Sequence, residues 1–215
     1  MKLPLRLGSC GPGFVALALV AFPLSAQLAD QGTLLIRAAG REVGTETFRI
    51  TADSATLRVN AHAVYIGRGA TDLTATVDRG RDGELAFQLE RRGGEHASQI
   101  YAVQKRNRLT VRRVERGAEQ ASELPGGART ALLADSVFSI LYQLLPLAAG
   151  NGPVNVVFPQ GTRRLSLTLD RVKSGSGTLV RFRGGLEGEL EVGNRGEVLR
   201  IQLPSLGLEA VRKPD

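Results

Sequence analysis

Tryptophan is missing from this chain of 215 residues, cysteine and methionine occur once each, histidine occurs twice, and aromatic residues make up 5%. Each scarcity closes a route. One cysteine, Cys10, cannot form an internal disulfide or supply a thiolate pair for zinc. His62 and His96 stand in no His-x-x-x-His spacing and beside no cysteine, so no metal site is expected. Gly-x-Ser-x-Gly is absent, as is a glycine-rich phosphate loop with its lysine, so neither a nucleophile elbow nor nucleotide use is indicated. No catalytic residue and no cofactor is assigned. The longest apolar run, Phe14 to Phe22, is far shorter than the roughly 20 residues a membrane-crossing helix needs, so no transmembrane anchor is expected.

That short run is informative in its setting. Lys2 and Arg6 precede it, and Pro23-Leu24-Ser25-Ala26 follow with a small residue last, which reads as a secretory signal peptide over residues 1–26. Residues 27–215 then form a single β-rich domain, exported to the periplasm, to an outer-membrane-associated position or beyond the cell. Leu7-Gly8-Ser9-Cys10 looks like a lipoprotein acylation box, but there the apolar run precedes the cysteine and here it follows. Cleavage after Ala26 would leave a mature chain without cysteine, held by its core alone.

Formal net charge is +7, and only Lys2, Lys105, Lys173 and Lys213 among the 28 basic residues are lysine. An anionic envelope surface is an expected partner for an exported basic protein. Nucleic acid is not, because no stacking aromatics interleave with the arginines. Lys105, Arg106, Arg108, Arg112 and Arg113 read as a charged strand that blocks unwanted pairing rather than as an anion-binding strip.

Most of the chain carries the period-two alternation of half-buried strands. In 55–65, Leu57, Val59, Ala61 and Ala63 oppose Thr56, Arg58, Asn60 and His62; in 165–170, three leucines alternate with Ser166, Thr168 and Asp170. Turn signals rich in glycine separate about twelve such segments, with Gly40 available for a positive φ between 32–38 and 43–51. Residues 116–127, polar and glycine-rich, read as a loop. One stretch differs, 130–150. Val137, Ile140, Leu141, Leu144 and Leu145 recur at helical offsets, Asp135 stands where an N-cap would, and Pro146 ends or kinks the helix. The fold class is therefore mainly β, a single antiparallel β-barrel or half-barrel (curved sheet) with one short central helix near residues 135–146.

The order of signal peptide, Gly40-x-x-x-Gly44 hairpin, meander, helix opening at Asp135-Ser136-Val137-Phe138, and glycine-punctuated β tail resembles uncharacterised exported β-barrel-like bacterial families of unknown function. In layout it is more distantly similar to periplasmic lipoprotein-carrier half-barrels. The resemblance implies a concave sheet able to hold an acyl chain or other amphiphile. The candidate ligand-binding residues are Val137, Ile140, Leu141 and Leu144, on the helix face turned to the sheet. The leading expectation is thus a non-enzymatic exported binding or cell-envelope protein holding a lipid or other hydrophobic ligand between sheet and helix. Two alternatives stand beside it. Glu187, Glu189 and Glu191, on one strand face, could serve a carboxylate-dependent hydrolase; a structural or adhesion module would need no small ligand.

Overall fold

The computed structural model describes residues 27–67, 70–93, 97–175 and 177–214. The expected signal peptide (residues 1–26), with Cys10, and His96 lie outside the described residues.

Alternation becomes strand throughout. The first meander comprises β1 (Gln27–Ala38), β2 (Arg41–Ala52), β3 (Thr56–Tyr65), β4 (Thr71–Gly80), β5 (Leu85–Gly93), β6 (Ser98–Lys105), β7 (Arg108–Glu115) and β8 (Ala118–Pro125). A short β9 (Thr130–Leu132) leads to a 3-10 turn at Ser139–Gln143 and the one-turn helix α1 (Leu144–Leu147). The chain returns through β10 (Val154–Phe158), β11 (Arg163–Ser174), β12 (Gly177–Gly184), β13 (Gly188–Gly193), β14 (Val198–Leu203) and β15 (Leu208–Arg212). All fifteen strands join one sheet, ordered β8-β7-β6-β5-β4-β3-β2-β1-β15-β14-β13-β12-β11-β10-β9. Every pairing is antiparallel except β9 with β10. The sheet curves without closing, so β8 and β9, consecutive in sequence, are its two edges.

Local chemistry explains the turns and faces. Ala39 and Gly40 both take positive φ, 48° and 77°, which suits a two-residue hairpin whose twist matches its strands. On the concave face Ile50, Val59, Val77 and Phe87 line up across four strands, and Ala61, Ala75, Leu89 and Ile100 form a parallel row. Where first and last strands meet, the buried Asp30 carboxylate accepts the Val198 amide at 2.7 Å and the Arg212 guanidinium at 3.1 Å. That charge-assisted contact joins β1 to β15 and to the start of β14.

Two expectations need correction. Residues 116–127 are not a loop. They include β8, paired with β7 along its whole length from Glu115 opposite Ala118 to Arg108 opposite Pro125. Ion pairs of Arg108 with Glu123 and of Arg112 with Glu119 cross the ladder. A strand solvated on nearly all its length has no apolar alternation to betray it. The helix is also shorter and later than its apolar spacing suggests, because it begins as a 3-10 turn at Ser139 and ends at Leu147. Pro146 sits inside α1, in the first turn, where no backbone donor is required. Asp135 makes no capping bond; it is exposed and pairs with Arg163 at 2.9 Å.

Candidate functional site

The cap of the helical segment comes from another strand. Glu46, in the middle of β2, falls in phase with Gly44, Phe48 and Ile50, so its side chain points into the concave face, where it is wholly buried. Its Oε2 accepts the Phe138 amide and its Oε1 the Ser139 amide, each at 2.7 Å. These are the free donors that open any helical turn, and a carboxylate suits the positive end. Burial raises the Glu46 pKa above the usual glutamate range, while the two donated amides pull it back. Tyr65, at the end of β3, donates its hydroxyl to the Ser136 carbonyl at 2.8 Å; burial, with the Glu46 charge, raises its pKa as well.

Gln143 secures the far side of the plug. Its amide nitrogen donates to the carbonyls of Leu132 and Ile140 at 2.6 and 3.0 Å, and its oxygen accepts the Leu132 amide at 3.1 Å. The plug therefore runs from the end of the sheet carrying the β1–β2 and β3–β4 turns, the mouth, toward the end carrying the β2–β3 and β4–β5 turns, the base.

At the mouth the segment 135–136 divides two cavities. One, of about 310 Å³, lies against the first meander and is bounded by Leu73, Leu89 and Ile100 with Arg91, Arg113 and Glu115 at its rim. The other, of about 280 Å³, lies against the returning strands, among Val137, Phe138, Leu141, Phe158, Leu203 and Leu208. Exposed Leu206 stands at its lip, and Arg163 lies 4.1 Å over the Phe158 ring while bonding Asp135. At the base an open groove of about 550 Å³ runs past Leu145, Pro146 and Leu147 and past Arg79, Arg81 and Arg171.

All four sequence-derived ligand residues are buried, but they divide in role. Val137 and Leu141 line the second mouth cavity, whereas Ile140 and Leu144 are packed into the core at 0% exposure and border none of these three spaces. Glu187 precedes β13, and Glu189, on the convex face, bonds Arg181 at 3.0 Å. Glu191 stands opposite Arg200 on that same outer face. Glu189 and Glu191 line neither mouth cavity, whereas Glu187 directly follows Leu186, which lines the second. His62 forms an exposed pair with Asp72 at 2.9 Å, and among the described residues no group of three His, Cys, Asp or Glu side chains could hold a metal ion. No helix among them is long and apolar enough to cross a membrane.

The sequence reading missed Glu46 and Arg79. A signal for both existed in their phase: Glu46 shares the inward register of Phe48 and Ile50, and Arg79 that of Leu73, Ala75 and Val77.

Fold and plug together define a β-barrel-like domain, open along one seam and filled by a short helical segment. The chain is similar to the crystal structure of a β-barrel-like protein of domain of unknown function DUF1849 from Brucella abortus, with a TM-score of 0.55 and 12% identity over 85% of this chain and 92% of that one. At such identity the likeness shows the fold. Neither a family model nor a curated protein matches the chain.

Proposed function

We propose that this is an exported, non-enzymatic binding protein of the cell envelope that holds an uncharged hydrophobic ligand at the mouth of its curved sheet. The carrying observation is the cavity of about 280 Å³ between the plug and the returning strands, with Val137 and Leu141 on one wall and Leu203 and Leu208 on the other. A dry apolar cavity of roughly 150 Å³ accepts a benzene ring, so this volume suits an alkyl segment or a small ring system. Its single cation, Arg163, is already bound to Asp135 and stacked on Phe158, which favours a guest without charge. Placement in the envelope rests on the sequence of residues 1–26.

Native mass spectrometry of the gently purified protein tests the reading. The expected result is a bound apolar molecule that disappears in Leu141→Trp, where the indole occupies the cavity. A ligand-free spectrum, together with failure of added decanol to bind the parent chain, would overturn it.

A further inference from the structure

Among the described residues, nothing balances one charge at the base of the sheet. Arg79 is inward-facing on β4 and 7% exposed. It donates to the Thr130 carbonyl, but its buried Nε has no partner, and among the described residues no carboxylate forms an ion pair with it. Burial, with Arg129 nearby, lowers its pKa to about 10, which still leaves it protonated at neutral pH. An isolated buried charge is costly unless something neutralises it.

Its surroundings add positive charge. Arg81, from the β4–β5 turn, and Arg171, from β11, border the same groove, and among the described residues neither pairs with a carboxylate. Arg129 is engaged by the carbonyls of Gly152 and Pro153. The one carboxylate lining the groove, Asp53, is taken up by its own turn, accepting the amides of Ala55 and Thr56 at 2.7 Å each. By contrast Arg58, Arg108, Arg112 and Arg200 on the outer face each pair with an acid on a neighbouring strand. Polar Ser54 and Thr56 also line the groove, and its apolar border is Leu57 with the end of the plug at Leu145 and Leu147.

We propose that this groove is an anion-binding site for a single-chain amphiphile, its phosphate or carboxylate head held by Arg79, Arg81 and Arg171 and its alkyl part lying on Leu57, Leu145 and Leu147. Forked guanidinium donors match both head groups. The site is at the opposite end from the mouth cavity and does not depend on it.

Calorimetric titration of the full chain decides the matter, with decyl phosphate below its micellar concentration, decanoate, inorganic phosphate and decanol as probes. Decyl phosphate and decanoate are expected to bind at least about tenfold more tightly than inorganic phosphate, and Arg81→Ala/Arg171→Ala to weaken both by at least about tenfold. Arg81 and Arg171 are exposed, so that double variant keeps the buried Arg79 contact and the fold. Leu141→Trp, altered at the mouth, is expected to bind decyl phosphate as the parent does. Parent-like affinity in the double arginine variant would overturn the proposal. So would inorganic phosphate binding as tightly as decyl phosphate, or loss of decyl phosphate binding in Leu141→Trp alone.

Discussion

The mouth and the base of this curved sheet are lined by the same materials, leucine and arginine, and differ in how the arginines are neutralised. At the mouth Arg163 has Asp135 and an aromatic ring, and the cavity rim that carries Arg91 and Arg113 also carries Glu115. At the base the only acid among the described residues that line the groove with three arginines is spent on a turn. The difference teaches that a formal charge of +7 says little until each cation's neighbour is known. An apolar guest suits the first environment, and an anion suits the second. The plug keeps them apart, and Glu46 holds the plug.

The comparison breaks most severely if Glu46 is lost. Glu46→Ala strands the buried amides of Phe138 and Ser139, at about 1–3 kcal/mol for each, so a loss of about 2–6 kcal/mol is expected in denaturant unfolding. Glu46→Gln keeps one acceptor oxygen and is expected to lose less. Its pH dependence is the sharper reading. The unfolded glutamate titrates near 4.5 and the folded one higher. As pH rises between them the unfolded state gives up its proton first, so the Glu46 contribution is fully present below 4.5 and falls as pH rises through the folded value. The stability difference between parent and Glu46→Gln should therefore shrink from pH 4.5 upward. A constant difference would show that folding does not raise the Glu46 pKa.

Ligand binding tests the same division at the next level. Leu141→Trp should abolish decanol binding and spare decyl phosphate, while Arg81→Ala/Arg171→Ala should weaken decyl phosphate by about tenfold or more and spare decanol. If both variants affected both ligands, the two ends would be one connected site. The smallest effect concerns Asp135. An exposed ion pair with Arg163 contributes about 0–1 kcal/mol, so Asp135→Ala should shift the unfolding midpoint by well under the roughly 1 kcal/mol that loss of a working N-cap would cost.

Much of the architecture was legible in the residues. Leu57, Val59, Ala61 and Ala63 face inward as their alternation requires, and the alternating stretch 165–170 falls within β11. β8 was hidden because it is exposed along most of its length and draws its stability from backbone pairing and from arginine–glutamate pairs across to β7. β9 was absorbed into the helical stretch because Ala131, Leu132 and Leu133 are apolar in every direction, as a strand buried on both faces must be. The candidate ligand residues all lie in the interior, but apolar spacing cannot tell a residue that fills the core, such as Ile140, from one that borders a cavity, such as Leu141.

By itself the sequence determined most of the strands and turns and the presence of one helical interruption, because alternation, positive-φ glycines and proline act over a few residues. Only the tertiary structure decided which charges are answered. Asp135 stands next to the helical turn in sequence and caps nothing, while the cap comes from Glu46, 92 residues before Phe138. Arg79 shares the inward phase of Val77 in the sequence, but only the fold buries it with no carboxylate partner among the described residues. Neutralising a buried charge depends on distances of a few ångströms across the fold, and sequence separation carries no information about those.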